Sequence, residues 1–374
     1  MIYLDNAATG GFKPSAVYET AENTIRYLSA NPGRSGHRLS VTGAQIISDC
    51  RQAFAEYFGG SSDRVIFTKN CTEALNVALF GGIKKGSHVI TTVYEHNSVL
   101  RPLFALKKRG DITLDIIAPT TENGIIRAIL EKINAYTKVI VTTAVSNVTG
   151  ESLPVREIGK IAKEYNLTYI VDGAQAGGHI PLDLEMDHIS ALALAGHKGL
   201  YGIMGSGVLM ISSDLEISPL TYGGTGSESF NLEQPENYPE RLESGTANLP
   251  AIASLGEGVR YAYGNMENFG TLLYERTEYV IQALSEIPLA KCYSKPNRAG
   301  IVAFKIDGIS SDQLADTLNE RFDVAVRAGL HCAPLMHKFL GTFETGLIRV
   351  SLSVQNSARE LDFFIRALKE ICRR

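Results

Sequence analysis

The chain is poor in cysteine, in net charge and in long apolar runs. Five cysteines, Cys50, Cys71, Cys292, Cys332 and Cys372, are scattered over 374 residues. Their number is odd, their spacings are wide and no CxxC pair occurs, which excludes a disulfide framework and a zinc ribbon. Lys and Arg total 36 against 40 Asp and Glu, a formal net charge of −4. The basic excess expected of a nucleic-acid-binding protein is missing. No stretch of about 18 uncharged apolar residues occurs, so no membrane span is expected. The opening Met-Ile-Tyr-Leu-Asp-Asn has no basic region and no long apolar region, so no signal peptide is expected either. Together with unpaired thiols, this predicts a cytoplasmic protein.

What is present is an ordinary globular composition, 44% hydrophobic and 20% charged, which excludes a disordered chain. At about 150 residues per domain the length predicts two to three domains. Short β-rich runs alternate with helical patterns. Strands are expected at 65–68, 88–93, 138–143, 168–171 and 192–195, with 208–212 turning back as a further strand. Helices are expected at 72–80, 99–109 and 155–165. Near-continuous apolar strands between helices predict an α/β fold with a mostly parallel sheet covered on both faces. A Gly/Ser/Pro-rich zone at 223–250 follows. Beyond it, helices at 251–286, 311–321 and 358–373 and strands at 301–306 and 348–353 read as a smaller α+β domain. The expected division is 15–258 for the large domain and 1–14 with 259–374 for the small one.

Ligands of such sheets bind at the carboxyl ends of strands. After the first strand, Asn70-Cys71-Thr72 opens a helix, where free N–H groups and a hydroxyl suit an anion. His96 and Asn147 follow the next two strands, and Asp172 and Gln175 the fourth. Lys198 follows the fifth, among glycines. Taken singly, each is readable as a cap, a turn or a solvated charge. Jointly they match one ligand, pyridoxal 5'-phosphate. That cofactor needs a phosphate cup, an acid on its ring nitrogen, a lysine on its aldehyde and a stacking group.

These residues resemble the class V aminotransferase-fold enzymes and, within them, the cysteine desulfurases and selenocysteine lyases with a short cysteine loop. The resemblance runs from Tyr3-Leu4-Asp5-Asn6-Ala7-Ala8 through Cys71-Thr72-Glu73-Ala74, Glu95-His96, Asp172-Gly173-Ala174-Gln175 and Gly196-His197-Lys198. It continues through Glu243-Ser244-Gly245-Thr246, Arg327-Ala328-Gly329-Leu330-His331-Cys332-Ala333-Pro334 and Ile348-Arg349-Val350-Ser351. It implies fold type I of the pyridoxal-phosphate transferases. Lys198 would be the Schiff-base lysine and proton shuttle, Asp172 the partner of the ring nitrogen, Gln175 that of the phenolic oxygen, and His96 the stacking catalytic ring. Thr72, the Cys71 backbone and His197 would hold the phosphate, with Thr225 reaching that of a neighbouring subunit in a homodimer. Arg349, with Asn147 and Arg327, would bind the substrate. Cys332 would take sulfur from L-cysteine as a persulfide, releasing alanine, and pass it to an acceptor protein or small thiol. His331, Arg327 or the cofactor would lower the Cys332 pKa. Ala195 departs from relatives that carry a hydroxyl there. No metal site is expected, because His331, Cys332 and His337 lack a fourth donor. Cys50, Cys292 and Cys372 read as packing or surface thiols. Selenium release from L-selenocysteine, another class V lyase or transaminase activity with an incidental Cys332, and a non-catalytic scaffold remain as alternatives.

Overall fold

The computed structural model of the chain describes residues 1–119 and 124–373. A seven-stranded sheet lies at its centre, in the order Val65–Thr68, Gly207–Ile211, Ala191–Ala195, Thr168–Asp172, Thr137–Thr143, Ser87–Thr92, Ile112–Ile117. Gly207–Ile211 runs antiparallel to both neighbours, and every other pair is parallel. Successive side chains of a strand point to opposite faces. Ile170, Ala193 and Leu209 accordingly pack on one face with the helices Cys71–Gly82 and Asn97–Arg109. Val171, Leu192 and Val208 pack on the other face with Phe54, Phe58, Ile158 and Leu255. Both faces are covered, which is why the inner strands are continuously apolar.

The strand Ile112–Ile117 and the helices Ser15–Tyr27 and Arg38–Phe58 add to the elements expected from the sequence. Ile112–Ile117 is an edge strand whose Thr113 is exposed and whose Asp115 is half-buried. Its alternation of apolar and polar residues hides it among the surrounding turns.

A second, antiparallel sheet holds Arg327–Gly329, Leu347–Ser351, Ile301–Ile306 and Ala290–Cys292 in that order. Phe304, Ile348 and Val350 from it pack with Leu361, Phe364 and Leu368 of the helix Ala358–Cys372. That helix starts on a reciprocal capping box between Ser357 and Glu360. At the other end of the chain, Ile2–Tyr3 pairs in parallel with Val324–Ala325. The 37-residue helix Leu249–Ser285 joins the two parts. Its Ile252, Leu255 and Val259 belong to the core of the large sheet, and its Leu273, Val280 and Leu284 to that of the small one. The boundary expected at 258/259 falls inside this continuous helix. Among the described residues, no helix is long and apolar enough to cross a membrane.

Candidate active site

The carboxyl ends of the parallel strands open into a cleft lined by Cys71, Thr72, His96, Ser98, Thr143, Asn147, Asp172, Gln175, Ala195, His197 and Lys198. Lys198 sits on a tight turn after Ala191–Ala195, closed by bonds from Tyr201 N–H to the Lys198 carbonyl (3.0 Å) and from Gly202 N–H to that of Gly196 (2.8 Å). The His197 carbonyl accepts from Gly10 N–H at 3.0 Å, Lys13 Nζ at 2.9 Å and Thr9 Oγ1 at 3.3 Å. The N-terminal segment thus clasps the peptide that precedes Lys198. Burial pulls the Lys198 amine below its ordinary range, partly opposed by the Asp172 carboxylate. Desolvation of this kind favours the neutral amine, the form that acts as nucleophile and base.

Asp172 ends its strand buried. Its Oδ1 accepts from Ala174 N–H at 2.9 Å and from the Cys71 thiol at 3.5 Å. No group among the described residues donates to its Oδ2, which leaves that oxygen to a ligand in the cleft. Burial first, and then this neighbouring carboxylate, hold the Cys71 thiol well above its ordinary pKa. Cys71 also begins the helix Cys71–Gly82, capped by Asn70, whose side chain accepts from Glu73 N–H at 2.9 Å. The N–H groups of Cys71 and Thr72 remain available at the cleft, an arrangement suited to an anion. Thr72 Oγ1 meets Ser98 Oγ at 2.8 Å, and Ser98 Oγ meets His96 Nδ1 at 2.8 Å. His96 caps its own helix by accepting from Ser98 N–H at 3.0 Å. Burial lowers its pKa to about 4, so the ring is neutral. The neighbouring His197, with Nδ1 at 3.1 Å from Thr9 Oγ1, is likewise brought to about 4 by burial. Beneath His96, the fully buried Glu95 pairs with the Thr92 hydroxyl, and burial pushes its carboxyl up to about 8.

On the far wall Gln175 Nε2 donates to the Ala7 carbonyl at 3.0 Å. Arg349, 1% exposed, comes from the small sheet. Its Nη2 bonds Asp5 Oδ1 at 2.8 Å and its Nη1 the Asn147 carbonyl at 3.1 Å, while its buried Nε has no partner among the described residues.

Cys332 is exposed, on a turn where both it and His331 are left-handed, with φ of 56° and 50°. Arg327 Nη2 stands 4.0 Å from its sulfur. The turn is tied to the cleft twice. Asn97 N–H donates to the Cys332 carbonyl and Asn147 Nδ2 to the His331 carbonyl, each at 2.7 Å. His331 differs from expectation. Its ring is buried and both nitrogens are engaged, at Arg327 O and at His337, so Arg327 and not His331 is the cation at the sulfur. The remaining thiols do not share this setting: burial pushes Cys50 up to about 12 and raises Cys292 and Cys372.

The model of the aminotransferase class-V family matches residues 2–364. The chain belongs to the class V aminotransferase family. Within this family it is 33% identical to a probable cysteine desulfurase of Pyrococcus abyssi, over 99% of this chain and 94% of the relative. It is 30% identical to a cysteine desulfurase of Serratia proteamaculans, over 99% of this chain and 93% of that one. An apo structure of a cysteine desulfurase from Thermococcus onnurineus NA1 superposes with a TM-score of 0.92 at 31% identity, covering 100% of this chain and 94% of that one. Members of this family are pyridoxal-phosphate-dependent.

Of the residues singled out from the sequence, Cys71, Thr72, His96, Asn147, Asp172, Gln175, His197 and Lys198 line the cleft together. Arg349 reaches Asn147, and Arg327 and Cys332 share the adjoining turn. Thr225 lies outside, on a surface segment where it meets Ser227. Sequence reasoning gave no role to Asp5, Asn97 or Ser98. Asp5 stood in a recognised motif, but its partner Arg349 is 344 positions away. The spacing of His96 and Ser98 at a helix start was a usable capping signal.

Proposed function

We propose that this chain is a pyridoxal 5'-phosphate-dependent cysteine desulfurase, converting L-cysteine to L-alanine with the sulfur retained on Cys332. The observation that carries this reading is an exposed thiol on a strained turn, tethered by Asn97 and Asn147 to the cleft of Lys198 and Asp172.

The residues fit the cofactor. Among the described residues Asp172 Oδ2 has no partner, and it suits a protonated ring nitrogen. The first-turn N–H groups of Cys71 and Thr72, the Thr72 hydroxyl and His197 suit a phosphate. His96 offers a neutral ring face, Gln175 an amide for the phenolic oxygen, and Lys198 a desolvated amine for the aldehyde. Ala195 lines the cup without a hydroxyl. When bound, the cofactor supplies an electron sink for the substrate's α-carbon.

The other steps belong to the chain. Arg349 holds the substrate carboxylate with its unpartnered Nε side, and Asn147 orients the bound amino acid. Lys198 Nζ takes the proton from the α-carbon and returns one. Arg327 Nη2 stands beside the Cys332 sulfur. Cys332 Sγ attacks the substrate sulfur. A sulfur–sulfur bond forms, the carbon–sulfur bond breaks, and its electron pair leaves with the carbon fragment, which gains a proton and departs as alanine. Thiol and cysteine thus become persulfide and alanine. An acceptor protein or small thiol then takes the sulfur.

The same reading makes 15–258 the cofactor-binding unit, and 1–14 with 259–374 the unit that carries Cys332 and Arg349. The pairing of Ile2–Tyr3 with Val324–Ala325 supports this division. It also makes the protein a homodimer, with Thr225 on its exposed segment turned to the second copy.

The test is Cys332→Ala. The variant should retain the cofactor's visible absorption and lose alanine and persulfide formation from L-cysteine. Mass spectrometry of the Cys332 peptide after substrate should show one added sulfur in the wild type. Full turnover by the variant, or a wild-type peptide without the addition, would overturn the reading.

A further inference from the structure

Two consecutive left-handed residues that are not glycine require surroundings that over-determine them. At His331 and Cys332 the backbone restraints are the bonds from Asn97 and Asn147 described above. A second restraint runs through side chains. The His331 ring has Nε2 at 3.3 Å from the Arg327 carbonyl and Nδ1 at 3.4 Å from His337 Nε2. His337, with no exposure at all, has Nδ1 at 2.9 Å from Thr342 Oγ1. The two rings meet edge to edge, with centroids 5.6 Å apart and planes 29° from parallel.

The protons in this row follow by elimination. The Arg327 carbonyl only accepts, so His331 Nε2 carries a proton and donates. A neutral His331 then accepts at Nδ1, and His337 Nε2–H donates to it. His337 Nδ1 in turn accepts from the Thr342 hydroxyl. Burial lowers both imidazole pKa values, with the Arg349 and Arg327 guanidiniums acting in the same direction on His331. Both nitrogens of each ring are engaged within the row, so neither is at hand as a base for the thiol. The row ends on the backbone of Arg327, whose guanidinium faces the Cys332 sulfur. It therefore ties the turn at two points, the His331 ring beside Cys332 and the backbone of Arg327.

We propose that His337 is a positioning residue for Cys332, acting through His331. The inference rests on the desulfurase reading above for its catalytic consequence, but the positioning itself is measurable without turnover.

The experiment compares His337→Phe, which keeps a ring and loses the donor, with His337→Gln, whose amide N–H reaches a similar point. Two readouts are taken on the holoenzyme. The first is the rate of Cys332 alkylation by iodoacetamide without substrate, followed by mass spectrometry. The second is the separate determination of kcat and KM for L-cysteine. His337→Phe should lower kcat at least about tenfold with KM within about twofold, because misplacing a reacting group is expressed in the chemical step. Its alkylation should slow by about threefold or more as Arg327 leaves the sulfur. His337→Gln should recover most of both. Wild-type alkylation and kcat in His337→Phe, or equal impairment of the two variants, would overturn the proposal. If His337→Phe does not fold, Thr342→Val removes only the hydroxyl end of the row. It should lower kcat at unchanged KM, and a wild-type kcat there overturns the proposal as well. A wild-type enzyme that makes no alanine would reject the desulfurase reading, while the alkylation comparison would still decide the role of His337.

Discussion

Arg349 brings a guanidinium to a position almost without access to water, and Asp5 is the carboxylate that meets it. Burying such a charge is tolerable only when a partner offsets the lost hydration. The partner comes from the opposite end of the chain, so one ion pair ties the N-terminal segment to the strand Leu347–Ser351. Asn6 Nδ2 adds a bond to the Ser351 carbonyl at 2.9 Å. Removing Asp5 strands the charge. Asp5→Ala should cost about 3–5 kcal/mol of stability, read from urea unfolding. A loss below about 1 kcal/mol would mean that Arg349 finds another partner. Arg349 itself was recognisable from its motif. The pair was not, because a carboxylate near the start of a chain carries no mark of which distant cation it will meet.

At the scale of elements, the helix Leu249–Ser285 supports the Lys198 turn from behind. A side chain at Gly258 would run into the Leu200 carbonyl, so the absence of Cβ lets the helix lie directly against the turn. Gly264, on the same helix, has open space around the position of a Cβ. The two glycines should therefore respond oppositely. Gly258→Ala should destabilise by about 1–3 kcal/mol through overpacking. Gly264→Ala should be neutral or gain up to about 1 kcal/mol through helix propensity. Thermal unfolding of both variants checks this, and a loss at Gly264 equal to that at Gly258 would rule out the packing account. Helical periodicity made this element legible, to within two residues at its start. It did not distinguish a glycine required by contact from a glycine merely tolerated.

For the whole molecule, burial acts on histidines in one direction. His96, His179 and His197 are each lowered to about 4, and His331 and His337 are lowered as well. Below the ordinary histidine range near 6.5 the unfolded chain takes up protons that the folded one refuses. The neutral-ring contribution to stability is thus present above about 6.5 and lost as pH falls toward 4. Glu95 works oppositely. Its pKa, raised to about 8, makes the folded state hold an extra proton from about pH 4.5 upward, a stability contribution lost as pH rises through 8. Near pH 5.5 the three histidines brought to about 4 prevail over Glu95 by about two protons, so stability should fall on acidification from pH 7 to 5. Urea midpoints across that range measure the slope. His179→Gln should reduce it by about one proton. A flat profile in the wild type would contradict the lowered histidines.

The sequence by itself determined the kind of sheet, because strands covered on both faces must be apolar throughout, and that pattern is local. The chemistry at the strand ends was legible for the same reason: each polar cluster stands immediately after its own strand, and the topology gathers the ends. Ile112–Ile117 escaped because an edge strand need bury only one face. Only the tertiary structure decided what depends on segments meeting across the chain: Asp5 on Arg349, Cys71 on Asp172, Asn97 and Asn147 on the cysteine turn, and His331 facing His337 rather than the thiol beside it. A side chain's neighbours in sequence limit its conformation. Its direction at His331 is set by a left-handed backbone that surrounding contacts hold in place.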